Sequence, residues 1–305
     1  MPFRQFLIKK NLILRNRILR GIREFFSNEG YIEVETPCRI PAPAPESNII
    51  AQPSGAWYLQ TSPELCMKRL LASGYKRIFQ ICKCFRKNER GHKHLPELTM
   101  LEWYTANIDY LDMMDQCQEL IRFVLDSTDF KDTLTYQGKE IDLTRPWHKI
   151  SVEEAFKEFT SMSMFEALEK DRFDHLMAYE IEPNISIKGP VFLYDYPASR
   201  GALARLKKDN PSYAERFELY IGGIELCNTF SELTDPLEQK RRFEKENISR
   251  GSSGGVQYPM PVKFLKALKF MPEAAGCALG IDRLAMLLAD TNKIDDVVCF
   301  TPEEL

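Results

Sequence analysis

The chain has 305 residues, 44% of them hydrophobic and 28% charged, with a formal net charge of −3. That length and apolar content suit one large globular domain, or two small ones with an adequate core, and exclude a disordered chain. A slightly acidic balance, with a pI near 6.0, excludes the broad basic footprint of a general DNA- or RNA-binding domain, so any positive patch has to be local.

The first segment, MPFRQFLIKKNLILRNRIL, is broken by Arg and Lys every few positions. It therefore reads as neither a signal peptide nor a membrane span, and a cytoplasmic location is expected. Leu12, Ile13, Ile18, Ile22, Phe25 and Phe26 recur near helical spacing and predict an amphipathic helix over 11–29, closed by Asn28 and Gly30. YIEVETP then alternates Tyr31, Glu33, Glu35 against Ile32, Val34, Thr36, a half-buried strand stopped by Pro37. YKRIFQICKCFR and LTMLEWYTANI are β-prone runs joined by a long polar stretch from Lys87 to Pro96, expected as an antiparallel pair with a functional loop. Further strands are expected at VFLYDYP and FELYIGGIELCN, followed by a charged helix from about Asp235 to Asn247 and a surface loop from Ser249 to Pro259. GCALGIDRLAMLLAD ends the series as a strand turning into a helix.

Paired neighbouring strands with few βαβ spacings predict an α+β fold, an antiparallel sheet flanked by helices, as a single domain over 1–305. The eight cysteines contain no CxxC pair and are expected as reduced thiols without zinc; Cys82 and Cys84 share one strand face.

Strand parity places the candidate chemistry. Gly276, Ala278 and Gly280 share one nearly bare face, with Arg283 just beyond it, which leaves room for a ligand on the backbone or for close helix packing. Leu98, Met100, Glu102 and Tyr104 share a face, as do Gln80, Cys82, Cys84 and Arg86. A hairpin could bring Arg86, Glu102 and Tyr104 around one pocket, the alternative being a solvated outer face. Glu225 and Glu232 lie seven apart and need a turn or bulge near Asn228 to face one ligand. Two convergent carboxylates beside phosphate-binding arginines suit Mg²⁺, and alone they could equally cap a helix start.

In this order, EGYIEVETP, FRKNERGHKHLPELTMLEW and GCALGIDRLAML resemble the three signature motifs of class II aminoacyl-tRNA synthetases. LQTSPELCMKRLL, YDYPAS and GIELCNTFSELTD are similar to the lysyl branch, with the first motif helix starting too early for an N-terminal OB anticodon-binding domain. That layout resembles the elongation factor P (R)-β-lysine ligase family. The resemblance implies an AMP-forming ligase that uses ATP and Mg²⁺ to activate β-lysine or lysine and passes it to a lysine of elongation factor P. It also implies a homodimer and no binding of a tRNA anticodon.

By the same resemblance, Arg86 and Arg283 would be catalytic, gripping the nucleotide from two sides, with Asn88, His94, Leu98, Glu225, Leu226 and Gly280 completing the ATP site. Ser62, Glu64, Glu102, Tyr104, Asn228, Glu232 and Ala278 would shape the amino-acid pocket, and Glu225 with Glu232 would carry the metal. Lysyl-tRNA synthetases usually have Gly where Ala278 stands, and the β-lysine ligases have Ala. Three positions depart from the family pattern: Asn88 replaces a Glu, Leu95 an Asn, and Leu98 the Phe on which adenine stacks. Glu89 is expected to substitute for the missing carboxylate if the loop shifts. Two other readings compete: a stand-alone adenylate- or amide-forming ligase with another acceptor, and a non-catalytic synthetase-like regulator that binds an amino acid.

Overall fold

The computed structural model describes residues 3–46, 48–144, 146–187 and 189–305. The first long helix, α1 (Lys9–Asn28), buries Ile18, Ile22, Phe25 and Phe26 on one stripe, and Gly30 at φ +73° turns the chain out of it. The strand that follows, β1 (Ile32–Glu33), is shorter than its alternation predicts, and Ile32 is 52% exposed. The physical reason is position: β1 pairs on one side only, at the edge of the sheet, so no neighbour covers its outer flank.

Helix α2 (Glu64–Ala72) precedes the antiparallel hairpin of β2 (Arg77–Phe85) and β3 (Glu97–Ala106). Gln80, Cys82 and Cys84 lie opposite Glu102, Met100 and Leu98, so the expected shared face is real. Helix α3 (Tyr110–Ser127) starts on a capping box made by Asp109 and Asp112. Then come β4 (His148–Ser151), β5 (Val191–Pro197), β6 (Tyr213–Ile221) and β7 (Ile224–Ser231). Gly222 and Gly223, both at positive φ, form the tight turn between the last two.

Helix α4 (Pro236–Ser252) runs five residues past the expected end at Asn247, so Ser249–Ser252 belong to its last turn and not to a loop. Gly and Ser weaken a helix without stopping it, and here Arg250 anchors the turn through bonds to Val256 O and the Tyr258 hydroxyl. Strand β8 (Ala274–Gly280) leads directly into α5 (Ile281–Leu288).

The strands form one eight-stranded sheet in the order β1-β2-β3-β8-β7-β6-β5-β4, parallel only at its two outermost pairs. The fold is thus α+β with a mostly antiparallel sheet. One sheet face is covered by α1, α3 and α5, whose core includes Phe26, Trp103, Met113, Ile121 and Leu284. On the other face α2, α4 and the helix Val262–Leu268 pack around Met67, Leu71, Phe243 and Phe264, leaving the middle of the sheet uncovered. No helix among the described residues is long and apolar enough to cross a membrane.

Candidate active site

The uncovered centre of the sheet is the floor of a cavity, and β8 runs through its middle. Gly276 lies opposite Tyr104, and a Cβ built on it would run into the Tyr104 ring and the Glu232 carboxylate, so only glycine lets these two side chains close over the strand. Ala278 sits between Glu102 on β3 and Asn228 on β7. A bulge makes the β7 side work. Leu219 pairs with Cys227 but Tyr220 with Glu225, leaving Leu226 as the extra residue. The parity flips there, two residues before the expected place near Asn228, so Glu225, Asn228, Phe230 and Glu232 all face the cavity.

One end of the cavity is acidic. Ser62, just ahead of α2, donates to Glu102 Oε1 at 2.6 Å and accepts the Glu64 N–H at 3.0 Å, while the Tyr104 hydroxyl donates to Glu102 Oε2 at 3.0 Å. Lys68, 1% exposed, reaches from α2 to pair with both Glu64 and Glu232. Burial opposes its ammonium, yet Glu232 and Glu64 outweigh burial and hold its pKa above the ordinary value. Burial lifts the Glu102 carboxyl to about 8, with the charge of Glu64 adding to it. Burial also raises Glu232, against the pull of Lys68, and Glu46 rises to about 7 through burial and the field of Glu64. Glu64 and Glu232 thus share one ammonium, and the upward shifts of Glu102, Glu232 and Glu46 register carboxylates buried with too little positive charge beside them.

The other end is cationic. Arg86 follows β2, its nearest acidic partner being Glu89 at 3.7 Å, and its Nε is buried without a hydrogen-bond partner among the described residues. Glu89, expected as a substitute for the missing carboxylate, also lines the cavity. Arg283, in the first turn of α5, bonds Glu225 Oε2 and Glu225 O at 3.0 Å each and His94 Nε2 at 2.7 Å. Burial and the Arg283 charge push His94 down, so its neutral Nε2 accepts from the guanidinium. The start of α5 is held by Asp282, which accepts the Thr99 N–H and pairs with Arg15. Much of the basic loop faces elsewhere: Arg90 is spent on Glu303 and Asp295, leaving Arg86, Lys93 and His94 to line the cavity.

Of the residues expected at the site, Asn88 alone does not line the cavity; it occupies a positive-φ turn position in the loop above it. Leu98 lines the cavity as an aliphatic side chain, and so does Leu95, which at 4% exposure also packs into the core behind, where the family's Asn would need a polar partner. The expectation that Glu225 and Glu232 share one metal ion is corrected. They stand at opposite ends of β7, roughly 20 Å apart at ~3.3 Å per residue, whereas ligands of one ion lie within about 5 Å of each other. Glu232 belongs to Lys68 and the acidic end.

The carboxylate that feels Glu225 is Glu182. Burial together with the charges of Glu218 and Glu225 lifts Glu182 to about 7. Of the three, Glu225 lines the cavity, while Glu218 is taken up by Arg216 and the Tyr196 and Tyr220 hydroxyls, so a Mg²⁺ bound here fits Glu225 together with substrate phosphates, the hard oxygen ligands this ion takes. Lys68, Glu46, Glu182 and Glu218 escaped the sequence reading; a lysine on an amphipathic helix reads as solvated, and only the sheet order brings the carboxylates together.

Comparison with known proteins places these features in context. Residues 1–304 match the family of tRNA synthetases class II (D, K and N). The chain is 39% identical to an elongation factor P–(R)-β-lysine ligase of Enterobacter sp. (strain 638), over 95% of this chain and 94% of that one. Identity and coverage are the same for the ligase of that name from Salmonella arizonae. It is also 37% identical to a lysine–tRNA ligase of Moorella thermoacetica, over 96% of this chain and 65% of that longer protein.

Proposed function

We propose a function from one premise: the chain belongs to the class II tRNA synthetases and is an ATP-dependent ligase. It activates (R)-β-lysine, or lysine, as the aminoacyl adenylate and transfers it to a lysine of elongation factor P. The observation that carries this reading is the pocket's division of charge. At one end Glu64, Glu232 and the buried Glu102 outnumber the Lys68 ammonium and call for a substrate with two ammonium groups, and Arg86 and Arg283 stand at the far end for the phosphates.

Seated on the bare stretch of β8, the amino acid presents its ammonium groups to Glu64, Glu102 and Glu232, and its carboxylate points along the strand toward Arg86. That carboxylate attacks the α-phosphorus in line as pyrophosphate leaves. Arg86, with a guanidinium N–H that has no acceptor among the described residues, would bond the charge that develops on the phosphoryl oxygens. Arg283, fixed by Glu225 and His94, offers a flat guanidinium face to the adenine. Glu225, beside Arg283 in the cavity, would hold Mg²⁺ together with the substrate phosphates, and the ion would neutralise phosphate charge when bound. The acceptor lysine then attacks the adenylate carbonyl, and AMP leaves.

Ala278 supports β-lysine over α-lysine, because its methyl stands on the floor between Glu102 and Asn228, where a one-carbon shift of an ammonium is felt. We also propose a cytoplasmic homodimer that buries the exposed apolar side chains near β1. Phe25 is already used inside the subunit, so Ile32 is the apolar side chain offered there. Pyrophosphate exchange over a panel of α-lysine, (R)-β-lysine, ornithine and leucine tests the substrate class. Exchange driven by leucine as well as by the diamino acids would refute the charge argument.

A further inference from the structure

Behind the pocket floor, on the sheet face turned toward the helices, three cysteines from separate elements meet: Cys117 of α3, Cys227 of β7 and Cys277 of β8. The Cys117 sulfur lies 3.6 Å from that of Cys277 and 4.0 Å from that of Cys227, and all three are within 4.8 Å of one another. Among the described residues no other group of three ligating side chains is so placed. All three are free thiols, none more than 2% exposed. A point equidistant from sulfurs so spaced lies roughly 2.2–2.5 Å from each, close to the ~2.3 Å of a metal–thiolate bond.

A second feature points into the same space. Thr229, fully buried, pairs with Cys277 across the strands, and its hydroxyl has no hydrogen-bond partner of good geometry among the described residues. It lies near enough to Cys117 to ease ionisation of that thiol, against the larger opposing effect of burial. A polar atom left unpaired in a core of this kind needs a reason.

Charge decides which element the three sulfurs can hold. Three thiolates around a monovalent ion leave two uncompensated negative charges in an apolar interior, and around a divalent ion they leave one and lack the fourth ligand of a closed zinc site. A trivalent centre with three thiolates is neutral and needs three sulfurs only. We propose that Cys117, Cys227 and Cys277 form a binding site for a trivalent thiophilic element of the arsenic(III) class. The exchange with arsenous acid is balanced: three S–H and three As–OH bonds break, three As–S bonds form, and three waters leave without oxidation or reduction. Binding ties α3 to the two strands that carry Asn228 and Ala278, each adjacent in sequence to one of the cysteines.

The test is titration of the full chain with arsenite in a thiol-free reductant, read by native mass spectrometry and by thermal denaturation. The parent is expected to gain one arsenic less three hydrogens and to melt higher. Cys117→Ala and Cys277→Ala are expected to lose at least tenfold in affinity and the three-hydrogen signature. The competing site is the pair Cys82 and Cys84, whose sulfurs are 3.9 Å apart; the double variant Cys82→Ala/Cys84→Ala is expected to bind as the parent does. Absence of an adduct on the parent, loss of only two hydrogens, or an adduct that survives in Cys117→Ala or Cys277→Ala would each overturn the proposal. If those variants do not fold, the hydrogen count on the parent and its retention in the Cys82/Cys84 variant still decide.

Discussion

Replacing Lys68 by Met probes the acidic end of the pocket where its logic is tightest. Met keeps the length and most of the volume of the side chain and removes only the ammonium that pairs with Glu64 and Glu232 at 1% exposure. Removing one partner of a buried ion pair costs about 3–5 kcal/mol, because the remaining charge is stranded. Two carboxylates are stranded here, so protons should replace the lysine where they are available. The sign follows: an acid whose folded pKa is raised holds its proton in the folded state, so stability is greatest below the unfolded value near 4.5 and falls as pH rises through the folded one. Burial already raises Glu232 in the parent, and losing Lys68 removes what pulls it down, so it must rise further. The variant is therefore expected to lose roughly 6–10 °C in Tm at pH 8.5, taking ~2 °C per kcal/mol for a chain of this size, and to approach the parent near pH 5.5. Differential scanning calorimetry of both proteins across that range measures it. A deficit that is absent, or that does not depend on pH, would refute the reading of Lys68 as the counter-ion of the acidic cluster.

Arg86→Ala is expected to lose 10²- to 10³-fold or more in pyrophosphate exchange, the scale for one transition-state donor, with Tm nearly unchanged because the side chain's nearest acidic partner is 3.7 Å away; exchange at the parent's rate would remove Arg86 from the chemistry. Leu98→Phe should tighten ATP by about 0.5–1.5 kcal/mol by restoring an aromatic face, read by calorimetry, and equal or weaker binding would mean that adenine sits elsewhere. Binding of lysine to the parent should strengthen as pH rises from 6.5 to 8.5, since Glu102 at about 8 and Glu46 at about 7 must shed protons to meet an ammonium. An affinity flat over that window would place the ammonium groups away from these carboxylates.

Much of this site was legible before any coordinates because it is written in strand parity. Leu98, Met100, Glu102 and Tyr104 on one strand, and Gly276, Ala278 and Gly280 on another, needed only a period of two to fall on common faces. The need for a bulge between Glu225 and Glu232 was legible as well, but not its place at Leu226, since a bulge is set by how two strands pair and not by either alone. The sharing of one ion by Glu225 and Glu232 failed for a related reason: a common face says nothing about distance along the strand. Lys68 was invisible because its burial depends on Glu232, far away in sequence, while Glu182 and Glu218 gained their meaning from the charges around them. Ile32 was misjudged because alternation cannot reveal that a strand lies at an edge.

The proposed acceptor of the activated amino acid is a lysine of elongation factor P. Incubation of the chain with ATP, Mg²⁺, (R)-β-lysine and purified elongation factor P, followed by intact-mass analysis of the factor, tests it most directly. The expected result is a mass increase of one β-lysyl group on a single lysine of elongation factor P, dependent on ATP and lost with Arg86→Ala. An unmodified factor in a reaction where the same enzyme forms the adenylate, or charges a lysine tRNA instead, would contradict it.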